Sequence, residues 1–556
     1  MQKWCKRVMD KGKRRIGAIL RLSAGFPPAS LAVATGGLSG LKRMLAGSRE
    51  AVDGLADVVD QLRKVAAPGG EPFIFTTRLE ENERLLRQVF QDCDDIVFRA
   101  FTAAGRHGLL VYLDGMTDTD MVEKHVLEPL LAMTGAMQPA DMHMIADRVL
   151  TAAAVKVAGD AGTGLEAVLT GNPLLLFDGS AQGLIIEAVK HVKRGIEEAK
   201  TESVARGPHD AFTETLKDNI ALIRRRARDA NIKVRIFQIG ERSRTAVALV
   251  YAADLVKPGL VAEIERRLSR IRIDQIVLAA QVEEFIIDHP WSPFPQTQVT
   301  ERPDTFVVSL YEGRAGLIVD NTPTAMIVPC TLVALMQSSE DFTIQPAIAS
   351  LIRLSRYFAA GLGIFLPAMY VAIVSYNPGM LPTTLAISVA QIRAQTPYPA
   401  FMEVIIMEAI LEIFQEAVVR LPQKISPAAS IVGGFVIGTT IVQAGLVNAL
   451  LVVATAGTAI ASFTMPSYNL GLALRWLRLP TVAAAAVLGF YGVILAYLAI
   501  IIHMCSLRSF GESFLGGLFD VTLAEDMQDK LVRVPTPRMG SRPKIFGAQD
   551  RSRVGD

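Results

Sequence analysis

The chain has 556 residues, 57 of them basic and 55 acidic, for a formal net charge of +2. That length exceeds one hydrophobic core, so two or more domains are expected. The near balance of charge excludes a general polyanion binder, nucleic-acid binders included. The charges are unevenly spread. Only twelve fall among the 165 residues between Gln345 and Gly511, about 7% against the usual quarter of a soluble protein. A water-soluble region followed by a membrane domain is the pattern this predicts.

Residues 1–75 are basic, then rich in Ala, Gly and Pro. They read as a flexible arm, in preference to a short basic helix over Lys11–Leu22 lying on an anionic membrane surface. Lys3 to Arg15 lead into no sustained apolar run, so no cleavable signal peptide is expected. The four cysteines (Cys5, Cys93, Cys330, Cys505) lie far apart, which gives neither a disulfide framework nor a zinc site.

From Thr76 the pattern is α/β, and a first subdomain is assigned to residues 76–228. Asn82–Phe101 reads as a helix from the spacing of Leu85, Leu86, Val89, Ile96 and Val97. Two apolar runs, Leu109–Leu113 and Leu174–Phe177, each end in Asp-Gly and read as strands turning at one edge of a sheet. Asp114, Asp118 and Asp120 do not have the spacing of a calcium loop and read as helix-capping residues. Ala211–Arg228 is a long helix with Phe212, Leu216, Ile220 and Ile223 on one stripe, ended by Arg224, Arg225, Arg226 and Arg228.

A second α/β subdomain is assigned to residues 229–345. Ile232–Ile239 and Ala246–Ala252 read as core strands, Pro258 opens a helix to Arg270, and Val307–Leu310, Gly316–Val319 and Ala325–Val328 read as short strands. No phosphate loop, dinucleotide fingerprint, nucleophile elbow or zinc-protease motif occurs, and the seven histidines form no cluster. No enzymatic activity, cofactor or metal is expected.

Residues 346–510 are assigned to a helical membrane domain, with a polar tail at 511–556. Tyr357–Tyr376 and Thr481–Leu507 are uncharged and long enough to span. The fifty uncharged residues between Lys424 and Arg475 would run about 75 Å as one helix, against a hydrocarbon core of about 30 Å, so they must fold back. Gly445, Gly457 and Pro466 are the candidate breakpoints. Leu381–Ile392 is too short to span and is bracketed by Asn377, Pro378 and Pro382 on one side and Pro397 and Pro399 on the other, which predicts a broken or re-entrant segment. Four or five passages are expected. Arg353 and Arg356, before the first span, favour a cytoplasmic N-terminal side.

Ala400–Arg420 is apolar enough to insert yet carries Glu403, Glu408, Glu412, Glu416 and Arg420. With Glu403 at zero, the next three glutamates fall at about 140°, 180° and 220° around the helix, a stripe about 80° wide with Gln415 beside it. Glu408, Glu412, Glu416 and Gln415 are therefore candidates to line a cation path, with Glu403 on the opposite face. The competing reading is an amphipathic helix at the membrane surface, with Glu416 and Arg420 paired at i, i+4.

Four stretches together resemble the A subunit of bacterial spore germinant receptors, the GerA family: Arg206–Arg226 (RGPHDAFTETLKDNIALIRRR), Asp320–Pro329 (DNTPTAMIVP), Ser375–Thr384 (SYNPGMLPTT) and Pro466–Arg475 (PSYNLGLALR). The resemblance runs from about Glu80 to Phe510. It implies two soluble α/β subdomains and an integral protein of the inner membrane of an endospore. It also implies a transporter-like B subunit and a lipoprotein C subunit as partners, and homo-oligomers that conduct monovalent cations when germination begins. It assigns no nutrient-contacting residue. A related branch, resembling the stage V sporulation AF protein, implies instead a germination protein that is not itself a nutrient receptor. An anchored scaffold would need neither the broken segment nor the glutamate stripe, and a secondary transporter would show inverted repeats, of which none is apparent.

Overall fold

The computed structural model describes residues 74–133, 142–152, 154–190, 206–394, 396–421, 438–516 and 529–553, together with 199, 202, 204, 434 and 518. Residues 1–73, which hold the basic arm and Lys11–Leu22, lie outside the described residues.

Two five-stranded sheets follow one another along the chain. The first holds β1 (Ile96–Ala103), β2 (Arg106–Leu113), β3 (Val155–Ala158), β4 (Leu174–Phe177) and β5 (Gly183–Ile186), in the order β1-β2-β4-β5-β3, with helix α2 (Ala161–Leu169) packed against it. The second holds β6 (Ile232–Ile239), β7 (Thr245–Ala252), β8 (Gln298–Thr300), β9 (Ala315–Val319) and β10 (Ala325–Val328), in the order β6-β7-β9-β10-β8. The two orders are the same, and neighbouring strands pair antiparallel throughout. On β7, Val247, Leu249 and Tyr251 pack toward helices α4 (Leu260–Arg270) and α5 (Ala279–Ile286). Ala248, Val250 and Ala252 pack toward α3 (Leu216–Arg226) and α6 (Pro303–Tyr311). Burial on both faces is why this strand reads as an unbroken apolar run rather than an alternating one.

Each unit is locked by the same side chains. In the first, helix α1 (Leu79–Val89) begins beside Asn82, whose Oδ1 accepts from the Thr76 amide at 2.9 Å and whose Nδ2 donates to the Thr76 carbonyl at 2.7 Å. In the second, Asn219 of α3 does the same to Thr213, at 2.7 and 2.6 Å. Asp178, after β4, accepts from the Leu79 amide at 3.1 Å; Asp320, after β9, accepts from the Leu216 amide at 3.0 Å. Gly179 and Asn321, both at positive φ, then donate to the carbonyls of Thr77 and Glu214. The shared words are Phe75-Thr76-x-x-Leu79-x-x-Asn82 and Phe212-Thr213-x-x-Leu216-x-x-Asn219. The soluble region is an internal duplication. Its halves are joined by the buried Arg224, which donates twice to Asp95 (2.8 and 3.0 Å), and by backbone bonds between Asp92–Asp94 and Val234.

Several sequence expectations shift. Asn82–Phe101 is not one helix: α1 ends at Val89, Asp92 takes a left-handed conformation (φ 60°), and β-branched Ile96 and Val97 open β1. Val307–Leu310 is not a strand but the last part of α6, where Pro303 opens the helix and Phe306, Val307 and Leu310 bury one face. The helix at Ala211–Arg228 is confined to Leu216–Arg226. Because β2 and β4 run antiparallel, with Gly108 opposite Phe177, their Asp-Gly turns lie at opposite edges of the sheet, not at one. Asp118 does cap a helix, accepting from the Met121 amide at 3.1 Å, and Asp114 pairs with Lys217 at 2.7 Å.

The helical region contains α7 (Pro346–Ser375), α8 (Thr383–Arg393), α9 (Ala400–Arg420), α10 (Ala449–Phe463), α11 (Tyr468–Leu488) and α12 (Phe490–Ser506). α7 and α11 are long and apolar enough to cross a membrane; α10 and α12 are shorter apolar helices. The uncharged run Thr481–Leu507 is therefore not one span. It is divided at Gly489 (φ 60°), where a Cβ would lie 2.9 Å from the Tyr376 ring. Gly445 (φ 67°) and Pro466 stand at breaks, whereas Gly457 lies within α10.

α7 and α11 run in the same direction, with Gly363 beside Arg478, Ile364 beside Thr481 and Tyr376 beside Ala486. α9 runs against α11, since Glu408 meets Arg478 and Glu412 meets Arg475. α10 runs against α7, placing Gly457 near Leu366 and Ser462 near Gly363. α12 returns from Gly489 to the second subdomain, where His503 meets Ser292 at 3.0 Å.

The chain after α12 is not a free polar tail. Ser509 Oγ donates to the Gln296 carbonyl at 2.7 Å, Leu332 donates to the Phe514 carbonyl at 2.8 Å, and the Gln549 amide and Nε2 donate to the carbonyls of Leu255 and Val256 at 3.0 and 2.8 Å. Arg353 and Arg356 of α7 are buried too. Both meet Asp341 at 2.9 Å, and Arg353 also meets Asp529 of the tail at 2.9 Å.

The asparagine lock yields a stability prediction. Asn219→Ala removes two part-buried side-chain hydrogen bonds to the Thr213 backbone and leaves those groups unpaired, at a cost of about 1–3 kcal/mol. Thermal unfolding of the full chain in detergent should show a lowered midpoint, and an unchanged midpoint would sink the assignment.

Candidate functional site

Helix α9 is set between prolines. Pro399 stands at its N-cap and Leu421-Pro422 follow its last residue. Its first half packs through Ala400, Val404 and Met407 against Ala368, Val371 and Ala372 of α7, Leu451 of α10 and Val482 and Ala485 of α11. Among the described side chains of its second half none is fully buried, and Ile413 is 70% exposed.

The four glutamates meet different surroundings. Glu403 is fully buried, accepting from Thr396 Oγ1 at 3.0 Å and from the Asn448 amide at 3.3 Å. It ties the start of α9 to the start of α10, so the face opposite the stripe is a packed one. Glu408 accepts from Arg478 at 2.6 Å. The same guanidinium donates to the Gly363 carbonyl and to Ser462 Oγ, each at 2.8 Å, so Arg478 joins α11 to α9, α7 and α10 at once. Glu412 lies 3.6 Å from Arg475, which also donates to Gln415. Glu416 accepts from Arg420 at 2.9 Å, one turn along.

The stripe is thus closed at one end and open at the other. The Glu408 side chain is 10% exposed, whereas those of Glu412 and Glu416 are each 64% exposed; Gln415 is half-buried. Asn377, Pro378 and Pro382 lie away from it, in the exposed break between α7 and α8. There a short turn, Pro378–Met380, leads into the eleven-residue α8. Among the described residues, no three His, Cys, Asp or Glu side chains are arranged to hold a metal ion.

Arg475 and Arg478 complete this site, although neither belongs to the stripe that helical spacing picks out. The signal was present: two cations inside an otherwise apolar run call for partners within the bundle.

A family model described as Bacillus/Clostridium GerA spore germination protein matches residues 84–545. The chain belongs to the GerA family of spore germination proteins. It is 38% identical over 469 residues to the uncharacterized membrane protein YfkQ of Bacillus subtilis (84% of this chain, 91% of that one). It is 35% identical over 477 residues to spore germination protein B1 of the same organism (85% and 98%). Stage V sporulation protein AF of B. subtilis is also similar, 29% identical over 83% of this chain and 92% of that one. Among solved structures, the N-terminal domain of the A subunit of the Bacillus megaterium spore germinant receptor GerK3 aligns with 47% of this chain and 97% of its own, at 27% identity and a TM-score of 0.38.

In this GerA-family chain the two carboxylates should respond differently to neutralisation. Glu408→Gln leaves the buried Arg478 without its counter-charge, which costs about 3–5 kcal/mol. Glu412→Gln alters an exposed group and costs under about 1 kcal/mol. Thermal unfolding of both variants in detergent checks this, and equal midpoints would count against the buried pair.

Proposed function

We propose that this GerA-family protein is the membrane subunit of a nutrient germinant receptor, and that several copies assemble into a path for monovalent cations at the start of germination. The role is non-enzymatic. The observation that carries the reading is the open end of the glutamate stripe. Glu412 and Glu416 project from an apolar helix on a face that the bundle leaves uncovered, and carboxylates facing lipid are costly. A ring of identical copies would turn these faces toward a shared, water-filled axis. The transporter-like B subunit and lipoprotein C subunit implied by the family resemblance are the expected partners, and the inner spore membrane the expected location.

The same reading includes a topology of six passages rather than four or five. The chain enters the bundle at Pro346 and leaves it at Ser506 on the side of the second subdomain, which requires an even number. α7 and α11 lead away from that subdomain; α9, α10 and α12 lead back. Leu421 and Asn448 stand at opposite ends of the bundle, which with an even count makes six. The soluble region then lies on the core-facing, cytoplasmic side. Cysteines introduced at Ser269 and Ser541 should label together from that side, and one at Gly379 from the other; opposite labelling of the first two would overturn an even count.

The similarity to stage V sporulation protein AF favours a second reading, a germination protein that organises the apparatus without conducting ions. Potassium release from spores separates the two. Glu412→Gln should slow nutrient-triggered release at unchanged protein level, while Glu166→Gln, on an exposed face of the first subdomain, should not. Normal release from both Glu412→Gln and Glu416→Gln would remove conduction from α9 and leave the organising role. Glu403 is no neutral control, because its carboxylate is buried and bonded.

A further inference from the structure

The loop between α5 and β8 carries Pro290-Trp291-Ser292-Pro293-Phe294-Pro295. Trp291 is 97% exposed, the most exposed of the large apolar side chains among the described residues. Its neighbours hold the loop in place. Ser292 Oγ and His503 Nε2 of α12 are 3.0 Å apart, the Ser292 hydroxyl also accepts from the Phe294 amide at 3.2 Å, and the buried Phe294 ring packs against Phe514 at 5.8 Å. A shallow open cavity of about 440 Å³ separates the loop from α11, with Trp291 on one wall and Trp476 on the other. Trp476 is itself 73% exposed and lies on a helix long and apolar enough to cross a membrane.

We infer that Trp291 anchors the second soluble subdomain in the lipid headgroup layer, beside Trp476. The bond to His503 sets the loop's level at the last turn of α12, where the helical region meets the subdomain. An indole at that level has an apolar ring and one N–H donor, the combination that favours the boundary between hydrocarbon and water. The two rings face the same cavity, which lipid headgroups and the first methylenes of their chains fill. The loop's prolines restrict its backbone, so little ordering is needed when it inserts. This rests on the helical region lying in a membrane and on no assumption about conduction. The anchor holds the subdomain that carries both ends of the bundle at a fixed depth.

The test is fluorescence quenching of the full chain in lipid vesicles, read as the difference between the parent protein and Trp291→Phe. That difference isolates the Trp291 emission without disturbing Trp4 or Trp476. Lipids carrying a quencher at the headgroup or upper acyl chain should remove most of it, and aqueous iodide should remove little. Emission quenched strongly by iodide and untouched by the lipids would place Trp291 in water and overturn the proposal. Emission protected from both would mean that protein covers the ring, a second copy or a partner subunit, and would overturn it equally. Quenching by lipid with normal potassium release in Trp291→Phe spores would support the anchor independently of the channel reading.

Discussion

Asp341 is fully buried just before the first long helix, and its carboxylate receives Arg353 and Arg356 from that helix, both at 2.9 Å. Arg353 reaches on to Asp529 in the chain after the last helix, and Arg533 from the same stretch donates to the Asp341 and Ile344 carbonyls. Breaking such a buried cluster strands charges in a medium that solvates them poorly, so its members hold or fail together. The consequence is geometric. The entry to the helical region and the chain that follows it are held at one point against one subdomain, and every intervening helix must fit between these fixed ends. Both ends of the helical region therefore lie on one side of it, a constraint that hydropathy alone does not supply.

The soluble half was legible in part because its signals are local. The core strands β6, β7 and β10 follow from short apolar runs between turn residues, and Asp118 reads as a cap because Asp favours that position. The duplication was equally present, in Phe-Thr-x-x-Leu-x-x-Asn at Phe75 and Phe212, but eight-residue words 137 positions apart are hard to see when the halves differ elsewhere. Their function is visible only in three dimensions, where each asparagine clasps a threonine backbone and each distant aspartate caps the helix. Val307–Leu310 failed for a different reason: a four-residue apolar run fits a strand or a buried helix, and Pro303 was the only arbiter.

In the helical half, the glutamate spacing was legible and its meaning was not. Periodicity placed Glu408, Glu412 and Glu416 on one face, which is where they are. It could not show that Arg478, seventy residues later, would claim Glu408, or that Arg475 would stand against Glu412 and Gln415. Glu403, on the other face, falls outside the stripe, yet it joins two helix starts. Positions that a helical wheel separates can each be committed to a different neighbour.

Those commitments decide what remains for function. Glu408 is neutralised by Arg478 and enclosed, so it holds helices together and contributes little field beyond the bundle. Glu416 shares its charge with Arg420 on its own helix, and both are exposed, so the pair is weak and salt-sensitive. Arg475 is largely buried, with 17% of its side chain exposed, and is pinned by Gln415, while Glu412 is mostly exposed at 3.6 Å. Solvent therefore sees the carboxylate more than the guanidinium. Of the residues on this face, Glu412 has the charge least cancelled, and it is as open to water as Glu416.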